Sequence, residues 1–299
     1  MQIRGLDPER DLRSVVAITR AVAPSAVVTY ESLRHRYAHP PARAALRAFV
    51  AEQDGEVVGR VNAFLDFFTE EVKGVLELGV IPRHRRHGIG SQLYEAAVAH
   101  LQTLAPATIA ATFEENADGV RFALARGFVE SRAETIMAVD PRIVGDQPPA
   151  SLELHPISTL DPRVAFEVDI AATRDVPYEG TITDIDFDEW TSLVLDYPLF
   201  AAAGSFVAFV DGEAAAISLL TADPESGRAG NMFTGTLAEF RGRGLARAVK
   251  LASIRWAAAH GITQIATVND ETNAGMLAVN RRLGYRPRGR RVVYVRRFS

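Results

Sequence analysis

The chain repeats a set of short landmarks at almost constant spacing. An Asp-Gly pair at positions 54–55 recurs at 211–212, which is 157 positions later. Further pairs keep an offset of 156 or 157 in the same order: Arg85 with Arg241, Gly88 with Gly244, Gly90 with Ala246, Asn116 with Asn273, and Gly127-Phe128 with Gly284-Tyr285. Ordered landmarks at one offset predict an internal duplication, so the 299-residue chain must use a fold that it can form twice.

A proline-rich stretch separates the two copies. DPRIVGDQPPA, residues 140–150, holds three prolines and one glycine between apolar segments. Proline resists both helix and sheet, so this composition is typical of a linker. The prediction is therefore a first domain at residues 1–145 and a second domain at residues 151–299.

Each copy shows the same order of predicted elements. A helical region at about 8–22 or 162–174 is followed by a hairpin around the Asp-Gly turn. A third strand then leads into a glycine-rich turn and an amphipathic helix, and a short strand, a second helix and a closing strand complete the unit. The predicted fold class is mixed α/β, with two tandem domains, each a mostly antiparallel twisted sheet flanked by helices.

The composition excludes several classes of protein. The chain has no cysteine, which excludes disulfides, a thiol nucleophile and cysteine metal sites. Seven scattered histidines show no HExxH spacing, so we expect no metal. No run of eighteen apolar residues is present, and the charged start MQIRGLDPERDL lacks the apolar core of an export signal. We therefore expect a cytoplasmic protein that does not span a membrane.

Charge is distributed unevenly along the second half of the chain. Residues 151–200 carry eleven acidic and two basic side chains, while residues 241–299 carry thirteen basic and two acidic ones. Two such blocks indicate either two partners of opposite charge or a fold in which the blocks neutralise each other. Both interpretations stay open at the level of sequence.

The repeated element is a strand, then Arg-x-x-Gly-x-Gly/Ala, then a helix. A helix start leaves its first N–H groups without partners and carries about half a positive charge from the aligned peptide dipoles. A phosphate or diphosphate satisfies both, and glycine permits its close approach. The alternative is that glycine is present only for packing. The pattern matches neither the GK[ST] of a P-loop nor GxGxxG.

These motifs together resemble the GNAT superfamily of acyl-CoA-dependent N-acetyltransferases. The first copy reads VIPRHRRHGIGSQL and then NADGVRFALARGF, and the second reads TLAEFRGRGLARAV and then NAGMLAVNRRLGY. The two-copy arrangement is similar to that of tandem GNAT proteins such as mycothiol synthase. The resemblance implies acetyl-CoA (CoA) as the cofactor.

The resemblance also implies which residues bind CoA. The two turns would hold the diphosphate, the strands before them the pantetheine arm, and the asparagines after them the region of the thiol. In the first copy these are Leu78, Val80, Arg85, Arg86, His87, Gly88, Ile89, Gly90, Ser91 and Asn116. In the second copy they are Thr234, Thr236, Arg241, Gly242, Arg243, Gly244, Leu245, Ala246, Arg247 and Asn269.

The sequence departs from the family pattern at one catalytic position. Many GNAT enzymes place a tyrosine seven residues after the asparagine to protonate the leaving thiolate, and here Ala123 and Asn280 occupy those positions. Asn280 can donate an N–H but has no proton to transfer. We therefore expect the second domain to be catalytic, through Asn280 and Asn273, and the first to be degenerate or structural.

The acceptor is expected to be a primary amine of a small metabolite, a cationic one included. Four residues of the acidic segment are candidates to bind it: Asp175, Tyr178, Asp184 and Asp186. The alternative is a solvated loop with ordinary helix-capping acids.

Glu77 in the first copy is either a general base or a residue on an exposed strand face. With no cysteine, direct transfer in a ternary complex is the simple scheme.

Two other functions stay open. One is a CoA-binding sensor without turnover, which the missing tyrosines favour. The other is an RNA-linked acyltransferase, suggested by the arginine-rich end NRRLGYRPRGRRVVYVRRFS. A sequence pI near 6.0 argues against a nucleic-acid partner, and a homodimer is compatible with the sequence.

Overall fold

A computed structural model of the protein describes residues 1–149, 151–176 and 181–297. The strands are β1 Gln2–Gly5, β2 Arg47–Gln53, β3 Glu56–Leu65, β4 Lys73–Val80, β5 Thr108–Glu114, β6 Val129–Val139, β7 Glu153–Pro156, β8 Phe206–Val210, β9 Glu213–Asp223, β10 Arg228–Thr236, β11 Gln264–Asp270 and β12 Arg286–Arg297. The helices are α1 Pro8–Val22, α2 Tyr30–Ala38, α3 Ile89–Leu104, α4 Ala117–Leu124, α5 Pro162–Thr173, α6 Phe187–Trp190, α7 Leu245–Ala259 and α8 Ala274–Arg282.

The chain forms two compact units. Unit 1 consists of Met1–Glu134, Glu179–Thr183 and Gly289–Ser299, and unit 2 consists of Thr135–Tyr178 and Asp184–Arg288. Each unit thus takes residues from both sequence copies. The assignment of residues 1–145 and 151–299 to two domains is a division of the sequence and stays a prediction.

Unit 1 contains a mostly antiparallel sheet with the strand order β1-β2-β3-β4-β5-β12. The pairs β1–β2, β2–β3, β3–β4 and β5–β12 are antiparallel, and β4–β5 is parallel. The last strand of the chain enters here, with Arg291 opposite Glu114 and Arg297 opposite Thr108. Leu93, Ala97 and Leu101 of α3 are fully buried in the core of this unit, as expected for the amphipathic helix predicted after the glycine-rich turn.

Unit 2 repeats the arrangement with the strand order β7-β8-β9-β10-β11-β6. The pairs β7–β8, β8–β9 and β9–β10 are antiparallel, and β10–β11 is parallel. Helix α6 continues as one turn of π-helix, Thr191–Leu195. Both units therefore confirm the predicted fold class, because each is a mostly antiparallel sheet flanked by helices. Among the residues described, no helix is long and apolar enough to cross a membrane.

The two Asp-Gly turns are hairpin turns with matching backbone angles. Asp54 and Gly55 have φ of 52° and 83°, and Asp211 and Gly212 have φ of 53° and 83°. Positive φ at both central residues fits the right-handed twist of the flanking strands. The register shifts next to each turn, between Ala51 and Glu52 and between Ala208 and Phe209. The duplication thus extends to local irregularities.

The first long helix of each copy, α1 or α5, lies on a glycine of the strand that precedes the glycine-rich turn. A side chain at Gly79 of β4 would meet Val22 of α1 at 2.9 Å, and one at Gly235 of β10 would meet Ala172 of α5 at 2.5 Å. Distances this short leave no room for a β-carbon, so these glycines allow α1 and α5 to approach the sheet closely. This contact places each helix over the strand that leads into the glycine-rich turn.

Candidate acyl-carrier site

The two glycine-rich turns are exposed, and each one begins a helix. Gly88 and Gly244 are the N-cap residues of α3 and α7, with φ of 80° and 79°, and no side chain caps either helix. Within the described ranges, the backbone N–H groups of residues 86–90 and 242–247 donate to no other protein group. Unpaired N–H groups at the positive end of a helix form a site for an anion.

The glycines of these turns are not explained by packing. A β-carbon at Gly88, Gly242 or Gly244 would meet nothing within 4 Å. Gly90 is different, because a β-carbon there would meet the ring of Phe122 in α4 at 3.2 Å. Of these four glycines, only Gly90 is explained by packing. The other three leave open surface above the start of α3 or α7.

The turn of the second copy is the less strained of the two. Arg86 and Gly242 occupy corresponding positions, with φ of 68° and 79°. The left-handed region costs a residue with a side chain about 1–2 kcal/mol and costs glycine almost nothing. Gly242 therefore suits this turn better than Arg86 and leaves more space above it.

The first arginine of each turn is used within the protein. The Nε atoms of Arg85 and Arg241 donate to the carbonyl oxygens of Val80 and Thr236, both at 3.2 Å. Arg85 also lies 3.6 Å from Asp118. These two arginines tie the end of the strand to the turn, which orients the N–H groups that follow.

Beside each turn, two parallel strands separate. The pairing of β4 with β5 ends at Leu76 and Ala111, although the strands continue to Val80 and Glu114. The pairing of β10 with β11 ends at Gly230 and Ala266, although these strands also continue. The segments with Leu78 and Val80, and with Thr234 and Thr236, thus face a gap whose edge offers main-chain groups to an extended ligand.

A β-bulge distinguishes the second copy. The register of β10 against β9 shifts between Asn231 and Phe233, whereas β4 pairs with β3 without a shift. The extra residue is Met232, which is 43% exposed. The bulge lies immediately after Gly230, where β10 leaves β11. Bulges bend a strand and change the direction of its side chains, and they are common beside active sites.

The asparagines that follow β5 and β11 cap helices. Asn116 accepts from the Gly119 N–H at 2.9 Å, and Asn273 accepts from the Met276 N–H at 3.0 Å. Asn116 also donates to the carbonyl oxygen of Glu114 at 2.9 Å. The capping contacts explain why asparagine occurs at these positions. The roles proposed for Asn116 toward CoA and for Asn273 in catalysis stay predictions.

Asn280 is fully buried and bonded to Asn269. Its Nδ2 donates to Asn269 Oδ1 at 2.7 Å, and its own Oδ1 has no partner among the described residues. Residues 269 and 280 are thus brought together at the end of β11, next to the gap between β10 and β11. An unsatisfied buried carbonyl oxygen is costly, so this amide could accept a bond from a ligand or a water.

The candidate acceptor-binding acids have partners in unit 2. Asp175 pairs with Arg241, and Asp184 pairs with Arg174 at 2.7 Å. Asp186 caps α6 by accepting from the Glu189 N–H at 2.8 Å. Tyr178 lies outside the described residues. The contacts fit the charge-balancing and capping alternatives, and recognition of an amine by these acids stays a prediction.

Glu77 belongs to a polar network in unit 1. Its carboxylate accepts from Arg36 at 2.8 Å and from Asn62 Nδ2 at 2.9 Å, and it lies 3.6 Å from Arg60. Burial raises the pKa of Glu77, but the nearby guanidinium groups of Arg36 and Arg60 outweigh it and lower the pKa to about 2. A carboxylate with so low a pKa is a weak base, so Glu77 is poorly suited to deprotonate an amine.

Two of the buried ionisable groups of unit 2 that sequence reasoning missed are Asp169 and Lys250. Asp169 on α5 is 8% exposed and accepts from the indole N–H of Trp190 at 2.7 Å. Lys250 on α7 is 1% exposed and donates to Asn231 Oδ1 at 2.7 Å. Each lies on the buried face of its helix, between apolar residues. A charged residue at an apolar helix position is the signal that could have found both.

Comparison with known proteins agrees with this geometry. The model of the Acetyltransferase (GNAT) family matches residues 16–128 and again residues 169–285. The protein is therefore a member of the GNAT acetyltransferase family, with the family unit present twice. The comparison with curated proteins found no match.

Several solved structures share the fold over the whole chain. A tandem GNAT protein from the clavulanic acid biosynthesis pathway, solved without AcCoA, is 21% identical, with a TM-score of 0.74 over 99% of this chain and 98% of that one. A GCN5-related N-acetyltransferase from Sphaerobacter thermophilus is 20% identical, with a TM-score of 0.72 over 99% and 95%. A putative acetyltransferase from Pyrococcus horikoshii is 14% identical, with a TM-score of 0.61 over 100% and 89%. At these identities the likeness shows the fold.

Proposed function

We propose that this protein transfers an acetyl group from acetyl-CoA directly to a primary amine of a small metabolite, a cationic one being favoured, and that the second copy does so. The observation that carries the proposal is the start of α7. There, unpaired N–H groups lie under an open surface, next to the gap between β10 and β11.

The donor set of this turn fits a diphosphate. Backbone N–H groups, the helix dipole and the guanidinium group of Arg243 favour an anion, whereas the guanidinium group of Arg247 is paired with Asp146. The edge of β10 at Thr234 and Thr236 fits the amide-bearing pantetheine arm, which would add to the sheet like a strand. When bound, acetyl-CoA supplies the acyl thioester. The protein supplies the orientation of that thioester against the amine, which is a large part of the rate in direct transfer.

Three observations favour the second copy over the first. Its turn has glycine at position 242, where the first copy has the strained Arg86. Its strand β10 has a bulge at the point where the parallel pairing with β11 ends. It contains the bonded pair of Asn269 and the fully buried Asn280, whereas the first copy has Ala123 at the position that corresponds to Asn280. Asn273 and Asn280 are the residues that we propose to act beside the thiol, by holding it and not by transferring a proton.

The turn can be tested by substitution of its N-cap glycine. Gly244→Val places a branched side chain in a left-handed conformation and over the open helix start. We expect acetyl-CoA affinity, measured by isothermal titration calorimetry, to fall at least about tenfold, equivalent to about 1.4 kcal/mol, with a parallel loss of thiol release. Gly88→Val tests the first copy and should leave turnover intact.

Gly212→Val is the matched control. Gly212 has a similar φ of 83° and equally open surroundings, but it lies in the β8–β9 hairpin. It therefore reports the effect of backbone strain alone. Equal losses of acetyl-CoA affinity in the Gly212 and Gly244 variants would contradict the proposed site.

The acceptor is tested with Asp184→Asn, which removes a carboxylate that pairs with Arg174 on the surface. We expect a higher KM for a cationic amine and an unchanged KM for acetyl-CoA. An unchanged KM for every cationic amine would argue against the acidic segment as the binding surface.

A CoA sensor is the second candidate, favoured by the absence of tyrosine at positions 123 and 280. It predicts tight acetyl-CoA binding with no thiol release for any amine in a broad panel. The RNA-linked alternative has less support, because Arg290 pairs with Glu115 and Glu130, and Arg291 pairs with Glu134, within unit 1.

A further inference from the structure

Lys250 is a buried basic residue that has no acidic partner among the residues that the structure describes. Its side chain is on the inner face of α7, and its Nζ donates to Asn231 Oδ1 at 2.7 Å. No ion pair involves Lys250 in the part of the chain that the structure describes. Burying an ammonium group without a carboxylate is unfavourable, so its presence in a packed core calls for a functional reason.

The partner of Lys250 holds the bulge of β10. Asn231 Nδ2 donates to Ser218 Oγ at 3.0 Å, to the Leu219 carbonyl at 3.1 Å and to the Phe233 carbonyl at 3.2 Å. Its Oδ1 accepts from Lys250 and from Thr234 Oγ1 at 3.0 Å. One amide thus bridges both sides of the irregularity in β10, and Lys250 donates one of the two bonds that its Oδ1 accepts.

The first copy has neither part of this arrangement. The position that corresponds to Lys250, at the offset of 156 that relates α3 to α7, is Tyr94. Strand β4 pairs with β3 without a bulge, and Val75 and Leu76 stand in the segment where β10 has Gly230 and Asn231. The buried lysine and the bulge therefore occur together in one copy, the copy with the less strained turn.

The surroundings of Lys250 lower its affinity for a proton. Burial lowers the pKa of Lys250 to about 7. Its Nζ lies 5.1 Å from the ring centroid of Tyr285, and burial raises the pKa of that phenol, so Tyr285 stays neutral. Apart from this ring, the group that the Lys250 Nζ contacts among the described residues is the uncharged amide of Asn231, which is bonded in turn to Ser218 of β9 and Thr234 of β10.

We propose that Lys250 is a positioning residue of the second copy: through Asn231 it holds the β10 bulge, and it places positive charge beside the gap where a carrier thiol would lie. This inference rests on the proposed function. Transfer of the acyl group to an amine breaks the carbon–sulfur bond and leaves the electron pair on sulfur, and a nearby cation stabilises that negative charge. The proton that the amine gives up balances the thiolate as free thiol.

The test uses the full-length protein with Gly88→Val, so that the second copy alone is loaded with CoA. The ultraviolet absorbance of the thiolate reports the pKa of the bound CoA thiol. Because a thiolate beside Lys250 favours protonation of the lysine amine, we expect the pKa of the bound thiol to be about one unit lower with Lys250 present than in either Lys250→Met or Lys250→Gln. Glutamine keeps a donor toward Asn231 and lacks the charge, so it separates the two contributions.

Activity gives a second readout. In Lys250→Met we expect kcat for acyl transfer to fall about tenfold or more, with KM for acetyl-CoA changed by less than about threefold. Tyr94→Phe, at the corresponding position of the first copy, should change neither value. Thermal unfolding of each variant without CoA checks that the fold is retained.

The outcomes separate the two proposals. Unchanged thiol pKa and kcat in both Lys250 variants, with normal CoA binding, would overturn the role of Lys250 and leave the proposed function standing. Absence of CoA binding in the parent protein would overturn both. A lower kcat in Lys250→Met with the same thiol pKa in all variants would assign Lys250 to the bulge alone and overturn the role of its charge.

Discussion

The Nε of Arg241 donates a hydrogen bond to the carbonyl oxygen of Thr236, the last residue of β10, as the Nε of Arg85 does to that of Val80 in the first copy. In each copy this contact joins the end of the strand, β10 or β4, to the glycine-rich turn that begins α7 or α3. It means that the first arginine of the motif orients the turn, whereas the open N–H groups after it are free to meet an anion.

We therefore expect Arg241→Met to act on ligand binding more than on folding. Arg241 is about half exposed and its pair with Asp175 lies at the surface, so the free energy of unfolding should change by less than about 1 kcal/mol. Acetyl-CoA affinity, measured by calorimetry, should fall about three- to tenfold because the turn loses its anchor. Arg85→Met is the control in the first copy, and it should not affect turnover.

The Glu77 network predicts a loss of stability in acid. The pKa of Glu77 is held at about 2 in the folded protein and returns to its ordinary value of 4.5 on unfolding. Between these values the unfolded chain binds more protons, so the Glu77 contribution is present above pH 4.5 and is lost as pH falls toward 2.

Glu77→Gln should lower the free energy of unfolding at neutral pH by about 1–3 kcal/mol, because Arg36 and Arg60 lose their shared carboxylate. The difference from the parent protein should shrink below pH 4.5. Urea unfolding across this range measures both effects. A difference that stays constant with pH would show that Glu77 is not ionised in the network.

For Asp169 we expect the free energy of unfolding to depend on pH in the opposite direction, and at higher pH than for Glu77. Burial raises the pKa of Asp169 from 3.8 to about 6, and the bond from Trp190 offsets only part of that effect. Between pH 3.8 and about 6 the folded protein binds more protons than the unfolded chain. The contribution of Asp169 to the free energy of unfolding therefore falls as pH rises through this window.

Asp169→Asn should remove this slope while it keeps an oxygen that can accept from Trp190. Urea unfolding of the variant and the parent protein from pH 4 to pH 7, followed by tryptophan fluorescence, measures the difference. Parallel stability curves for the two proteins would contradict a protonated Asp169 in the fold.

For Lys250 we expect a third effect of pH on the free energy of unfolding, this one above neutral pH. Its pKa is about 7 in the folded protein and 10.5 when unperturbed. Between these values the unfolded chain binds more protons, so the parent protein should gain stability relative to Lys250→Met as pH rises. Below pH 7 the variant should be at least as stable, because a buried ammonium group has been removed. Identical pH dependence of the two proteins would mean that Lys250 is solvated.

Much of the architecture was accessible from local sequence signals. Positive φ at an Asp-Gly pair or at a glycine before a helix is a property of one or two residues, so the hairpins and the helix starts could be predicted. The apolar spacing of α3 predicts its buried face for the same reason. The bulge in β10 had no such signal, because register depends on the partner strand.

The sequence alone determined the duplicated unit, its mixed α/β class, its turns and the family. Each copy carries these signals in residues close together in the chain, since backbone preferences and helix periodicity are short-range properties. Only the tertiary structure shows that Lys250 lies against Asn231, nineteen residues before it, and that Arg36 and Glu77, forty-one residues apart, share one ion pair. Such contacts, and the pKa values that they change, depend on which elements pack together and how much water that packing removes.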